Sequence, residues 1–265
     1  MTIYTHGHHD SVLRSHSNRN IDNSAAYMAA WLQPGLSLLD VGSGPGTITA
    51  DFAQRLAPGR VTALEINDDA VALTRAEIER QGLDNVTYRT GDVHDLPLAD
   101  DCFNIVHAHQ LLQHVGDPVQ ALCEMRRVCK PGGIVAVCDS DYAGFIWYPE
   151  LPALDDWMRF YQQAARANGG EPNAGRYLLS WAQRAGFADI TPSTSTWCLA
   201  TPDKRQWWGG MWSRRILESR IAGQLLEAGM ATQADLQRIS IAWQQWANAA
   251  DGWMSLLRSE LICIA

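Results

Sequence analysis

The chain has 265 residues, of which 46% are hydrophobic and 19% charged, a composition typical of a folded domain with a substantial core and unlike that of a disordered chain. The formal net charge of −8 argues against a nucleic-acid substrate, because phosphate backbones select basic surfaces. No apolar run approaches the roughly 18 residues of a membrane-spanning helix, so we expect no membrane span.

Cysteine usage indicates a reducing compartment. The six cysteines are scattered along the chain without paired C-x-x-C spacing, which is typical of free thiols rather than of a disulfide framework. The first 20 residues are polar and lack the apolar core of a signal peptide. We therefore expect a cytoplasmic protein.

The N-terminal segment is rich in histidine. Four of the eight histidines fall within its first 20 residues: His6, His8, His9 and His16. They raise the question of a metal site, but no cysteine or histidine follows at ligand spacing, so we favour a polar terminus and expect no metal. A helix is predicted from Ile21 to Leu32, where Pro34-Gly35 ends it.

A glycine-rich stretch follows the first predicted strand, Leu36 to Val41. It places three glycines in five residues: Gly42, Gly44 and Gly46. Glycine is needed where a ligand approaches the backbone closely or a turn requires positive φ, and a helix opening at about Gly46 points free N–H groups at that ligand. The spacing differs from the G-x-G-x-x-G of dinucleotide sites, because the next glycine is Gly59. A P-loop is excluded, because no Gly-Lys-Ser/Thr follows.

Four more segments follow in order. Val61 to Ile66 is an apolar strand that ends in Glu65, Val86 to Val93 contains Asp92, Phe103 to His109 is a fourth strand, and Lys130 to Val137 is a fifth strand with a Lys-Pro-Gly-Gly turn before it. Together with the glycine-rich stretch, these segments resemble the class I S-adenosylmethionine (SAM)-dependent methyltransferases. Residues 91 to 98 are similar to the ubiquinone/menaquinone-biosynthesis C-methyltransferases.

This resemblance implies an α/β fold. The expected architecture is a Rossmann-like, seven-stranded doubly wound sheet with six parallel strands and one antiparallel edge strand, capped at the active site by helical insertions. The expected divisions are an N-terminal lid and helix (1–34), a SAM-binding core (35–140), an insertion (141–175), a core continuation (176–202), a helical cap (203–252) and the last strand (253–265). We predict two helices in the cap, separated near Gly229.

The resemblance also implies SAM as cofactor and S-adenosylhomocysteine as product. The implied cofactor-binding residues are Asp40, Gly42, Ser43, Gly44, Gly46, Thr47, Glu65, Ile66, Asp92, Val93, His109, Gln110 and Arg19. Among them, Glu65 is expected to accept hydrogen bonds from the ribose hydroxyls and Asp92 from the adenine amine. Arg19 or Arg14 would pair with the methionine carboxylate; a solvated helix-capping arginine is the alternative.

The end of the fourth strand carries polar side chains suited to chemistry. His107 and His109 alternate on the strand and should share one face, while His114 belongs to the following turn. A neutral imidazole at His109 near the sulfonium could act as a general base. The alternative is that His109 and Gln110 only shape the cofactor pocket, since methyl transfer can proceed by proximity and alignment.

Aromatic residues are concentrated in the second half of the chain. Ten of the eleven tryptophans lie after residue 140, and those in the two insertions include Trp147, Trp207, Trp208, Trp212, Trp243 and Trp246. They can form an aromatic roof over a planar substrate or simply pack helix on helix. Trp207 and Trp208 cannot both face inward on one helix. One of them therefore faces the pocket, solvent or a second subunit, which hints at a homodimer.

The predicted function is methyl transfer to a small, apolar or planar acceptor at a carbon or oxygen nucleophile. No Asn-Pro-Pro-Tyr-type motif follows the fourth strand, which disfavours a DNA base or a protein amide as acceptor. A SAM-binding regulatory or interaction protein without turnover is the alternative from another class. An NAD-dependent oxidoreductase is disfavoured by the glycine spacing.

Overall fold

The computed structural model describes residues 19–265, in which one mixed sheet carries helices on both faces. The strands are β1 Leu38–Val41, β2 Val61–Glu65, β3 Val86–Thr90, β4 Phe103–His109, β5 Cys129–Ser140, β6 Ile146–Tyr148, β7 Ile190–Cys198 and β8 Trp253–Ile264. The α-helices are α1 Thr47–Leu56, α2 Asp68–Arg80, α3 Pro118–Val128, α4 Pro152–Ala167, α5 Leu178–Arg184, α6 Pro202–Glu218, α7 Arg220–Glu227 and α8 Gln233–Asn248. Short 3₁₀ turns lie at Leu112–His114, Tyr142–Gly144 and Ala174–Tyr177.

The strand order is β3-β2-β1-β4-β5-β8, with β7 on the far edge of β8. Strands β1 to β5 are parallel, whereas β8 runs antiparallel to both β5 and β7. The three-residue strand β6 pairs with the beginning of β8 and so continues the edge occupied by β5. The predicted fold class is confirmed, with β6 as an addition and the antiparallel strand lying between β5 and β7.

Apolar side chains bury both faces of the sheet. One face packs against α1 and the N-terminal turns through residues such as Met28 and Phe52, and the other packs against α3 and α5 through Met125 and Leu178. Because both faces are covered, β1 and β4 are buried along almost their whole length. The carboxyl ends of the parallel strands therefore meet at one edge of the sheet, where ligands bind in such folds.

The segment before β1 is not the regular α-helix predicted over residues 21–32. It forms a π-helical turn, Ile21–Ala25, followed by a 3₁₀ helix, Ala26–Trp31. The backbone carbonyl of Asn23 accepts hydrogen bonds from the side chains of Trp197 and Arg258, both at 2.7 Å. These tertiary bonds draw the carbonyl away from regular α-helical geometry. Residues 1–18 of the predicted lid, including Arg14 and the four N-terminal histidines, lie outside the described residues.

The helical cap contains three helices, α6, α7 and α8, rather than the two predicted. A break occurs at Ser219, whose backbone is extended (φ −89°, ψ 171°) and whose hydroxyl donates to the carbonyl of Arg215 at 2.7 Å. A serine that bonds back to its own helix competes with the regular backbone ladder, which accounts for the break. Within residues 19–265, no helix is both long and apolar enough to cross a membrane.

Most of the cap tryptophans pack against each other. Trp157 of α4 has its ring centre 4.8 Å from those of Trp212 and Trp243, with the rings edge to face. These three side chains, Trp246 and Tyr161 are fully buried. Helix-on-helix packing is therefore confirmed for the interior of the cap. Of the adjacent pair, Trp208 is buried, while Trp207 is half-buried and lies beside Trp197.

Helices α6 and α8 approach each other closely at Gly209. A Cβ atom there would lie 2.8 Å from the Cβ of Ala247 and 2.8 Å from the carbonyl oxygen of Trp243, whereas a Cβ at Gly210 would meet no atom within 4 Å. We expect Gly209→Ala to lower the free energy of unfolding by about 1–3 kcal/mol through overpacking. The matched Gly210→Ala should raise it by roughly 0.5–1 kcal/mol through helix propensity. Urea unfolding of both variants checks this, and equal effects would contradict the close approach.

Candidate active site

The loop between β1 and α1 has a left-handed backbone at three glycines. Their φ angles are +75° at Gly42, +56° at Gly44 and +84° at Gly46. A Cβ at Gly46 would lie 2.9 Å from the Cα of Thr74, so this glycine allows the loop to pack on α2. A Cβ at Gly44 would meet no atom within 4 Å. The backbone at Gly44 is therefore the part of the loop that a ligand can approach.

Asp40 supports this loop from below. Its carboxylate is buried, and it accepts a hydrogen bond from the hydroxyl of Thr49 at 2.6 Å. Its other oxygen lies 2.8 Å from Nδ1 of His107. Both carboxylate oxygens thus have partners inside the protein, and Asp40 holds β1, α1 and β4 together. We expected Asp40 to contact the cofactor, but its carboxylate does not face the cleft.

Two hydroxyl groups brace the other side of the loop. The hydroxyls of Ser43 and Thr74 lie 2.8 Å apart, and the Thr74 hydroxyl donates to the carbonyl of Gly44 at 2.8 Å. Ser43 is buried, while Thr47, in the first turn of α1, is half-buried. The serine thus fixes the loop conformation, and the threonine lies at the helix N-terminus.

Glu65 brings the end of β2 to the loop. Its Oε1 accepts a hydrogen bond from the backbone N–H of Gly44 at 2.7 Å. The next residue, Ile66, is 59% exposed. The structure thus places a carboxylate and an apolar surface side by side at this edge.

Asp92 lies beyond the end of β3. Its Oδ1 accepts hydrogen bonds from the backbone N–H of His94 at 2.9 Å and lies 2.6 Å from Nδ1 of the same residue. These interactions hold the pKa of Asp92 below its ordinary value, so the side chain is a carboxylate at neutral pH. Val93 beside it is buried. The pair therefore offers an anionic acceptor next to an apolar wall.

The end of β4 brings His109 and Gln110 to the same edge. His109 is buried, and its ring lies parallel to that of His107 with the centres 6.5 Å apart, as expected for two residues on one face of a strand. Gln110, at φ +53°, accepts from Nη2 of Arg19 at 2.5 Å and donates to the hydroxyl of Ser140 at 2.9 Å. Arg19 is thus held at the end of β4.

His114 is unsuited to act as an acid in this site. Burial, with a smaller contribution from the charge of Arg19, lowers its pKa to about 3. The imidazole is therefore neutral throughout the physiological range. Its Nε2 lies 3.2 Å from the side-chain amide of Gln113.

Sequence reasoning missed a group of polar residues on β7 and β8. Arg258 and Glu260 are both buried, and they lie beside Ser195 and Ser193 of β7. The only signal in the sequence is that two opposite charges, Arg258 and Glu260, stand two residues apart in a mostly apolar strand. Residues two apart on a strand point to the same face of the sheet. Arg258 and Glu260 therefore form a polar patch in the protein interior.

Comparison with known proteins gives consistent matches. Residues 32–201 match the family model of a methyltransferase domain. The chain is 32% identical to an uncharacterized methyltransferase of Schizosaccharomyces pombe over 98% of this chain and 95% of that protein. It is 36% identical to the ubiquinone/menaquinone biosynthesis C-methyltransferase UbiE of Idiomarina loihiensis, over 40% of this chain and 43% of that protein.

A solved structure shares the fold. Phosphoethanolamine N-methyltransferase 2 of Haemonchus contortus, determined with phosphomonomethylethanolamine and S-adenosylhomocysteine, matches with a TM-score of 0.56 at 17% identity. The match covers 87% of this chain and 49% of that one.

The two loop glycines should respond differently to an added methyl group. Gly44→Ala places a Cβ in open space, so it should cost only the roughly 1–2 kcal/mol of a left-handed alanine but weaken S-adenosylhomocysteine binding at least tenfold. Gly46→Ala adds a clash with the backbone of Thr74 and should lose about 1–3 kcal/mol more stability. Thermal unfolding and calorimetric titration separate the two effects. Unchanged affinity in Gly44→Ala would contradict a ligand at this loop.

Proposed function

Because the chain belongs to the methyltransferase-domain family, we propose that it transfers a methyl group to a carbon or oxygen nucleophile of a small, apolar or planar acceptor. Its cofactor is S-adenosyl-L-methionine, and the product is S-adenosyl-L-homocysteine. The cofactor supplies an electrophilic methyl group when bound. The protein's own task is to hold that methyl group and the nucleophile in line and to exclude water.

The open backbone at Gly44, between Glu65 and the first turn of α1, is the observation that carries the proposal. We assign the ribose to Glu65, whose carboxylate already reaches the loop at 2.7 Å. The adenine lies between Ile66 and Val93, with its amine on the Asp92 carboxylate. Arg19, held by Gln110 at the end of β4, binds the methionine carboxylate.

His109 lies at the end of β4, the strand that separates two halves of the sheet. Strands β1 to β3 carry the proposed cofactor residues, and β5, β8 and β7 lie on the other side of β4. We propose that His109 takes the proton released by the acceptor. Its neighbour His107 fixes the ring from below by parallel stacking, while Asp40 fixes His107.

The apolar or planar character of the acceptor is inferred from the cap. The aromatic cluster of the cap includes Met254 and Leu256 of β8, and half-buried Trp197 of β7 packs against it. Apolar surface thus continues from the cap onto β8 and β7, which lie on the β5 side of His109. An acceptor ring in this position would be covered by aromatic side chains, which favour planar ligands.

A SAM-binding regulatory protein without turnover is the second candidate, and the absence of an acceptor-dependent product would favour it. An NAD-dependent oxidoreductase remains the fold-level rival. The six cysteines form no disulfide, which supports the proposed cytoplasmic location. A homodimer stays a prediction.

Removing the Glu65 carboxylate tests the cofactor assignment. Glu65→Ala should weaken SAM and S-adenosylhomocysteine binding by about 1.5–3 kcal/mol, or roughly 10- to 150-fold, because charge-assisted hydrogen bonds are lost. Calorimetric titration with both compounds and with NAD⁺ measures this, and Glu79→Ala, at an exposed position on α2, is the matched control. Retained affinity in Glu65→Ala would refute the assignment, and binding of NAD⁺ alone would favour the oxidoreductase.

Replacing His109 tests the proposed general base. With an acceptor identified by screening planar compounds, His109→Gln should lower kcat by about 10²- to 10⁴-fold and leave the affinity for S-adenosylhomocysteine unchanged. If turnover is unaffected, alignment alone carries the reaction and His109 only shapes the pocket.

A further inference from the structure

A row of polar side chains crosses the sheet on the face covered by the N-terminal turns. Strand register pairs His109 with Cys138, Cys138 with Glu260, and Glu260 with Ser193. One step further along, Ser140 pairs with Arg258, and Arg258 with Ser195. Residues in register or two apart share one face of a sheet, so all of these side chains point the same way. Below them the same face is apolar, with Ala136 and Ile262.

Hydrogen bonds organise the outer part of this row. Nη2 of Arg258 donates to the hydroxyl of Ser195 at 2.9 Å, and that hydroxyl donates to Glu260 at 2.5 Å. The second oxygen of Glu260 accepts from the hydroxyl of Ser193 at 2.8 Å. Both carboxylate oxygens of Glu260 thus accept hydrogen bonds from serine hydroxyls. Among residues 19–265, Arg258 makes no direct ion pair, although it is almost fully buried.

The N-terminal turns cover the row and leave two hydrogen-bond donors without acceptors. The carbonyl of Asn23 accepts from Nη1 of Arg258 at 2.7 Å. One turn later, the hydroxyl of Tyr27 is buried and has no hydrogen-bond partner. Burial raises the pKa of Tyr27 well above its ordinary value, so the hydroxyl stays protonated. Nε of Arg258 is likewise buried and without a partner. Tyr27 packs against the apolar cluster that includes Ile262, which lies on the same face of β8 as Arg258.

A buried donor without an acceptor costs about 1–3 kcal/mol of desolvation, and residues 19–265 contain others, such as Nε1 of Trp157 and Nε of Arg205. The hydroxyl of Tyr27 and Nε of Arg258 differ from these because they belong to two separate elements, the N-terminal turn and β8, that pack against each other beside the polar row, and one of them carries a positive charge. We propose that Tyr27 and Arg258 bind an oxyanion of the methyl acceptor, so that the acceptor is a planar acid. This inference rests on the proposed methyltransferase function.

The position of the pair assigns it to the acceptor rather than to the cofactor. The proposed cofactor residues Gly44, in the loop after β1, and Glu65, at the end of β2, lie on one side of β4. Arg258 lies on β8, two strands beyond β4 on the other side, and Tyr27 packs against the buried cluster of that face, which includes Ile262 of β8. The ring of an acid held there points toward His109, which is the member of the row that lies on β4. The buried carboxylate of Glu260 would repel a negatively charged acid. The positive charge of Arg258 offsets this repulsion.

Tyr27→Phe removes only the hydroxyl and tests the proposal without disturbing the fold. Loss of an unsatisfied buried group should raise the melting temperature of the free protein by about 2–4 °C. In the complex with S-adenosylhomocysteine, the affinity for benzoate, used as the probe acid, should fall about tenfold. A lower melting temperature would show that the hydroxyl has a structural partner and would overturn the proposal. A loss of S-adenosylhomocysteine affinity would also overturn it, because it would assign the pair to the cofactor.

Charge selectivity provides the second test. The wild-type complex with S-adenosylhomocysteine should bind benzoate at least fivefold more tightly than benzamide, measured by ligand-observed NMR titration. Arg258→Gln should abolish this preference and Arg258→Lys should retain part of it, whereas Arg80→Gln, at an exposed arginine paired with Glu77, should leave it unchanged. If S-adenosylhomocysteine binds but benzoate is not preferred, this inference fails while the proposed function stands. If S-adenosylhomocysteine does not bind the wild type, the proposed function fails first.

Discussion

The arrangement of the site depends on one buried carboxylate. Asp40 joins the end of β1 to the first turn of α1 through Thr49 and to β4 through His107, so three elements are fixed at one point. The loop above it can then expose the backbone of Gly44, and the ring of His109 is stacked at a defined distance from His107. A buried carboxylate is tolerated here because both oxygens have close partners; losing either one would leave a costly unsatisfied charge.

The cofactor half of the site could be predicted from the sequence because its signals are local. An acid at a strand end, glycines at fixed spacing and a helix start lie within a few residues of one another, and parallel strands bring their carboxyl ends to one edge without further information. Glu65, Asp92 and His109 were placed at this edge in this way, and their roles toward the cofactor stay predictions. The family resemblance was confirmed by the match over residues 32–201.

The other half of the site could not be predicted, because long-range contacts decide it. The polar row exists only because β8 pairs between β5 and β7, and no short pattern around Arg258 specifies those neighbours. The π-helical turn has the same origin, since the carbonyl of Asn23 is bound by side chains 174 and 235 residues away. The clustering of tryptophans was visible in the sequence. Which of them pack together depends on how α6 and α8 cross, and the sequence does not specify that crossing.

The pairing of β7 has a consequence for synthesis of the protein. Among the described strands β7 pairs only with β8, and residues 199–252 lie between the end of one and the beginning of the other. At about 5–20 residues per second, a ribosome needs roughly 3–11 seconds to make that interval. During this time β1 to β5 can already associate, while β7 remains an open edge that other chains can join. The nascent chain is therefore most exposed to misassembly, and most dependent on chaperones, just before β8 emerges.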